Sequence, residues 1–389
     1  MDKKSPGAIT FEPDNLLVAF CIKTNEELQQ AHHLFSMALK PAFIWALKRG
    51  LPIKEQLKKS VYSHFSGGET VEDAKRVMEK LAGANVRAVL DYAAEAQQTE
   101  AGYDQVQQEL LHDIRRAAKS GASISLSIRL SKLGPKSIFE KITAQEQLTT
   151  EEQQAFDRTE ARLDSVCKAV ANAGMCMHID AEESWQQVPV DALAEKMMLR
   201  YNSQRAVVLN TVQMYRTDRV DYLKACLERF AGKQALLGIK LVRGAFHEKE
   251  LERARVYDHA PAVFTEKVAT DKSFNQGLDI CLYNLHRLEL CAATHNQEST
   301  RYLTERMAEG ELKLLRHRVH FAQLYGMSDH LTFNLAQAGF QASKYLPYGE
   351  AKKALPHIIR RVEESASVSG QTGRELHLLE GELRRRSLL

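Results

Sequence analysis

The sequence has little of what marks several functional classes. Its six cysteines, Cys21, Cys167, Cys176, Cys226, Cys281 and Cys291, form no C-x-x-C pair and no metal-type spacing. They read as small buried hydrophobes of a reducing compartment, not as a disulfide framework or a zinc site. No apolar run approaches the ~18 residues that a membrane-crossing helix requires. The opening MDKKSPGAITFEPDN carries charge but no apolar core of a secretory leader, so a cytoplasmic location is the expectation. Neither sign of charge is in excess: 53 basic against 50 acidic residues leave a net +3 over 389 residues. That balance gives no argument for a nucleic-acid partner. No G-x-G-x-x-G follows the first strand-like run, which argues against an open dinucleotide-binding sheet.

What is present is an ordinary globular composition, 44% apolar and 26% charged, on a chain long enough for a large core. Residues 24–85 contain no convincing strand. NEELQQAHHLFSMALKPAFIWALKRG has helical spacing, and ETVEDAKRVMEKLAGAN opens with Thr70 and Asp73 in capping-box spacing. Residues 1–85 are therefore read as an N-terminal helical section. From residue 86 short apolar or β-branched runs recur, at 86–92, 123–130, 175–180, 206–214, 237–242, 289–295, 317–325 and 340–348. Helical stretches lie between them, and several end on a glycine suited to a left-handed cap. Strand–helix alternation implies a parallel sheet with crossover helices. Eight units over about 280 residues predict the α/β class and a (β/α)8 barrel of the TIM type over 86–370, with a tail at 371–389.

In such barrels the chemistry sits at the C-terminal ends of the strands. Those ends carry Asp91 and Glu95, Arg129, His178 and Asp180, Gln213, Lys240 and Arg243, Thr294 with His295 and Asn296, Gln323 and Tyr345. The set outlines a pocket that needs both signs of charge and several donors. Taken singly, each has a plainer reading. Asp180 could cap the next helix, Glu95 could be a solvated helix charge, His295 a satisfied core histidine, and Gly244 a simple turn residue. His178 and Asp180 could face inward as metal ligands, but no H-x-H or H-E-x-x-H supports a metal. Near the chain end, Arg360 and Arg361 follow Pro356, Ile358 and Ile359 in YLPYGEAKKALPHIIRRVEES, an arrangement suited to holding an anion.

The motifs KLVRGAFHEKE (240–250), TEKVATDKSFN (265–275), AATHN (292–296), QLYGM (323–327), YLPYG (345–349) and IIRRVEE, with DAEES (180–184), TVQMYR (211–216), FSGGET and DYAAE, resemble those of the proline dehydrogenase family, single-function bacterial type. The resemblance runs in order from about residue 11 to 375. It implies an FAD-dependent barrel enzyme that oxidises L-proline to Δ1-pyrroline-5-carboxylate and passes electrons to a membrane quinone. By position it implies that the flavin is held by Gln213, Lys240, the backbone of Val242, Gly244 and Ala245, Thr265, Lys267, Thr294, His295 and Glu364. The substrate carboxylate falls to Arg129, Arg360 and Arg361. Asp180, Leu324 and Tyr345 complete the pocket, and Glu95 pairs with Arg360 as a gate. Guanidinium suits bidentate recognition of a carboxylate, and on a helix the paired arginines diverge by about 100°.

Three residues depart from the family pattern. Arg129 stands where lysine is usual, Phe246 where tyrosine is usual, and His357 where an aromatic residue packs over the substrate ring. These departures keep a second substrate class in view, 4-hydroxyproline or another cyclic imino acid, with a non-catalytic flavoprotein scaffold as the third reading. The tail LHLLEGELRRRSLL combines leucines with Arg384–Arg386. It reads either as peripheral contact with an anionic inner membrane or, preferably, as a solvated helix end.

Overall fold

Eight strands alternate with helices along the chain. In our computed structural model they close in the order β1-β2-β3-β4-β5-β6-β7-β8 into a parallel barrel. The structure describes residues 11–38, 61–93, 97–119, 124–351 and 371–389. The strands are β1 (Val86–Tyr92), β2 (Ile124–Arg129), β3 (Cys176–Asp180), β4 (Val208–Gln213), β5 (Leu237–Val242), β6 (Leu288–Ala293), β7 (Val319–Leu324) and β8 (Gln341–Tyr348). Each falls on one of the eight runs read from the sequence. β1 and β5 coincide with their runs, and the others differ by one or two residues at an end. β4 is buried at every position, as a strand covered on both faces must be. Gly174, Gly232 and Gly339 have positive φ just past helices, the left-handed stop that their positions suggested.

By internal packing the chain divides into two compact units, Met1–Glu95 with Phe321–Leu389, and Ala96–His320. In the first, β1 and β8 register from Val86↔Ala342 to Tyr92↔Tyr348. The FSGGET segment is tied to the YLPYG segment: Gly67 N and Ser66 Oγ both donate to Pro347 O, at 2.8 and 3.0 Å. The helix Val71–Gly83 opens with the expected box, the Thr70 hydroxyl accepting from Asp73 N and the Asp73 carboxylate accepting from Thr70 N.

The helices Asn25–Ala38 and Gln371–Arg385 pack together in this unit. Leu28, Leu34 and Phe35 of the first share an apolar cluster with Leu378, Leu379 and Leu383 of the second. Arg386 then donates to the carbonyls of Phe20 and Lys23 at 3.2 and 2.9 Å. The solvated helix end expected for the tail is corrected by this packing: three of its leucines are buried and one of its arginines is a cap.

In the second unit, Asn210 of β4 donates to Asp191 Oδ1 at 2.8 Å and to the Tyr222 hydroxyl at 2.9 Å. These partners lie on the helices Gln187–Tyr201 and Arg219–Arg229. Asn210 thus points outward to the helical layer. Because side chains alternate along a strand, its neighbours Leu209 and Thr211 point into the barrel.

Candidate active site

The inward row at the C-terminal ends of the second unit's strands carries the charge. Arg129 registers with Asp180, and Thr211 registers with Lys240. Lys240 and Asp180 form an ion pair that passes over β4. The lysine is 3% exposed. Asp180 therefore does not cap the following helix. Breaking such a pair by removing one partner costs about 3–5 kcal/mol, because it leaves the other charge buried. Directly below, His178 is buried beside Lys240. Burial first, and then the lysine's charge, push its imidazole down to about 3, so it stays neutral.

Gln213, last in β4, is held at both ends of its amide. Its Oε1 accepts from Ala245 N at 3.1 Å and its Nε2 donates to Glu182 O at 2.9 Å. Each amide atom keeps one further hydrogen-bonding position. The turn after β5 is built on Gly244, whose φ of +150° suits only glycine. A Cβ there would stand 2.4 Å from the Tyr215 ring. The glycine is required by a neighbouring side chain, whatever else approaches it. Glu182 is fully buried, with Oε1 accepting from Ser131 N at 3.1 Å. Burial raises its carboxyl above the usual range against the opposing charges of Arg129 and Lys136.

Arg243 links the next two strand ends. It donates to Asp271 Oδ1 and to Thr294 Oγ1, both at 2.6 Å, and to Ser299 Oγ at 3.0 Å, and its guanidinium stacks 4.5 Å from the Phe274 ring centroid. Asp271 also accepts from Lys267 at 2.5 Å. Asn296 caps the next helix through Ser299 N at 2.9 Å. Thr265 is exposed in the bend before the helix Lys267–Tyr283, and His295 is half-buried.

Two of the three departures from the family pattern meet. The Arg129 guanidinium lies 5.2 Å from the centroid of the Phe246 ring, and Lys249 Nζ lies 5.4 Å from the same centroid. A planar guanidinium stacks on an aromatic face in a way an ammonium does not. An arginine in place of lysine thus has a packing partner for its larger head group.

In the first unit Leu324 ends β7, partly buried against the apolar cluster. Tyr345 lies within β8 opposite Val89 rather than at the strand end. Their segments are bridged: Tyr325 N donates to Tyr345 O at 2.8 Å. Lys344, 0% exposed, reaches Asp329 Oδ1 at 2.8 Å, Met327 O at 2.5 Å and Leu324 O at 3.4 Å. Lys23 Nζ lies 3.3 Å from Asp329 Oδ2. Glu95, His357, Arg360, Arg361 and Glu364 lie outside the described residues.

The structure thus brings together Asp180 with Lys240, Gln213 with Ala245, and Arg129 with Phe246. It joins Lys267 to Thr294 through Asp271 and Arg243. The linking role of Arg243, with Asp271 and Ser299, escaped the sequence reading. Lys267 and Asp271 do stand four apart in TEKVATDKSFN, a visible pairing signal, but the arginine reaches Asp271 from the end of β5. The Lys344–Asp329 pair carried no signal at all. Among the described residues no group of three or more His, Cys, Asp or Glu is placed to hold a metal.

Residues 74–374 match the model of the proline dehydrogenase family. The carbapenem antibiotics biosynthesis protein CarD of Pectobacterium carotovorum subsp. carotovorum is 33% identical over 326 residues, 84% of each chain. The hydroxyproline dehydrogenase of Xenopus laevis is 28% identical over 428 residues, 98% of this chain and 91% of the relative. Among solved structures, proline utilization A (PutA) from Bdellovibrio bacteriovorus inactivated by N-propargylglycine superposes with a TM-score of 0.73 at 17% identity. That match covers 94% of this chain and 40% of PutA. At that identity the likeness is one of fold.

Proposed function

The chain belongs to the proline dehydrogenase family and is an oxidoreductase; from that premise we propose that it oxidises L-proline to Δ1-pyrroline-5-carboxylate with FAD as hydride acceptor and a quinone as the next acceptor. The observation that carries the reading is the inward row of Arg129, Asp180 and Lys240 at the C-terminal ends of the strands. A small zwitterion needs charges of both signs, and the row supplies them, with Lys240 buried and Arg129 and Asp180 half-buried.

The residues present suit a flavin. Lys240, Gln213 and the backbone of Val242–Ala245 form a cluster rich in donors, matching a ring system edged with carbonyl and imine acceptors. The buried Thr211 hydroxyl, which has no partner within the protein, leaves an unmet polar group in the same row. On this reading FAD is held by Gln213, Lys240, Val242, Gly244, Ala245, Thr265, Lys267, Thr294, His295 and Glu364. When bound, the flavin accepts a hydride from the ring carbon next to the substrate nitrogen.

The chain's own work is to bind, orient and exclude water. Arg129, fixed on the Phe246 ring, holds the carboxylate together with Arg360 and Arg361. Asp180, steadied by Lys240, presents a negative charge suited to the substrate ammonium. Leu324, Tyr345 and His357 shape the apolar part, and Glu95 gates through Arg360. A cytoplasmic protein meeting its quinone at the inner membrane surface goes with this reading. Among the described residues no helix is long and apolar enough to cross a membrane. Three leucines of the tail are taken up in packing, so the tail is not our proposed contact surface.

A second substrate, 4-hydroxyproline, is favoured by the Xenopus relative, whose alignment spans nearly both chains. Turnover of a panel of cyclic imino acids, each with an artificial electron acceptor, separates the readings. The proposal expects L-proline to give the highest kcat/KM. A ratio favouring 4-hydroxyproline assigns the second substrate, and FAD binding with no turnover of any imino acid supports the non-catalytic scaffold.

A further inference from the structure

Thr211 is the member of the inward row to which no role attaches. It lies on β4 two residues before Gln213, on the same strand face, and registers with Lys240. The outward hydrogen bonds of Asn210 fix its direction into the barrel. The residue is 4% exposed, and its Oγ1 has no hydrogen-bond partner within the protein. A buried hydroxyl without a partner destabilises the fold that carries it. Valine has nearly the same shape without that penalty. The position therefore holds a polar group that the protein alone leaves unmet, between two residues read above as flavin ligands.

We propose that the Thr211 hydroxyl is a further flavin-binding group, making a hydrogen bond to the polar edge of the isoalloxazine ring. The inference rests on the FAD reading given above. A hydroxyl both donates and accepts, so it can meet either a ring carbonyl or a ring nitrogen.

The test uses the full chain, stripped of flavin and titrated with FAD, as wild type, Thr211→Val and Thr211→Ser. Flavin fluorescence gives the affinity, the visible spectrum reports the ring's surroundings, and thermal melting is followed without flavin. The expected result is that flavin-free Thr211→Val melts no lower than wild type while its FAD affinity falls on the order of tenfold. Its flavin band should also be displaced, and Thr211→Ser should behave as wild type. If Thr211→Val binds FAD as tightly as wild type with an unaltered spectrum, the hydroxyl meets only water and the inference is overturned. It is also overturned if flavin-free Thr211→Val melts well below wild type, since the hydroxyl is then structural. A wild type that takes up no FAD overturns the functional reading and this inference with it; equal binding by both proteins overturns this inference alone.

Discussion

Replacing Lys344 by methionine removes a charge from an enclosed ion pair of the first unit while nearly conserving volume. Lys344 is 0% exposed, 2.8 Å from Asp329 Oδ1, and donates to the carbonyls of Met327 and Leu324. Removing one partner of a buried pair costs about 3–5 kcal/mol. Lys23 remains 3.3 Å from the other carboxylate oxygen, which moves the expectation toward the lower end. Each carbonyl that loses its donor adds about 1 kcal/mol. A loss of about 3–5 kcal/mol is therefore expected for Lys344→Met, measured as the unfolding free energy in urea. It is a large share of the ~5–15 kcal/mol typical of a folded domain.

The pH dependence has a defined sign. Burial opposes ionisation of Asp329, but Lys344 and then Lys23 outweigh it and hold its carboxyl well below the usual range. Its contribution is present above the unfolded carboxyl's pKa and is lost as pH falls toward the folded value. Lys344→Met should start that acid loss at higher pH. The added substitution Asp329→Asn should abolish that acid loss, while leaving Lys23 without the carboxylate it pairs with. A Lys344→Met protein within about 1 kcal/mol of wild type would refute the reasoning, because the pair would then not be holding the loop after β7.

Two further outcomes follow from the same geometry. Glu375 accepts from Ser328 N at 2.6 Å, and burial, then the charge of Asp329, push its carboxyl up to about 7. The folded state then holds a proton that the unfolded chain has released, so stability should fall as pH rises from the ordinary carboxyl value toward 7, and Glu375→Gln should flatten that slope in melting curves. Gly244→Ala places a Cβ 2.4 Å from the Tyr215 ring at a φ of +150°. It should cost about 1–3 kcal/mol in thermal denaturation, and an alanine variant as stable as wild type would show that the turn adjusts freely.

The barrel was legible because each strand is a short apolar run closed by polar residues, a local signal repeated eight times. β1 is the clearest case, with its bounds set by VRAVLDY alone. The capping box at Thr70 was legible for the same reason, since both partners lie within one turn. The site's connections were not. Asp180 and Lys240 are 60 residues apart in the chain, and no local pattern distinguishes a residue that caps a helix from one that reaches across the barrel. Arg129 and Phe246 each stand out only against a family pattern, and their stacking shows only in three dimensions. The tail misled because its leucines face a helix near the other end of the chain. Only the closed packing of Leu379 against that cluster separates a docked helix from a frayed one.

The central claim is that a flavin on this chain takes electrons from L-proline. It is tested most directly by adding L-proline to the FAD-loaded protein in the absence of oxygen and following the visible flavin absorbance. The band should bleach. A flavin that stays oxidised at saturating L-proline contradicts the claim.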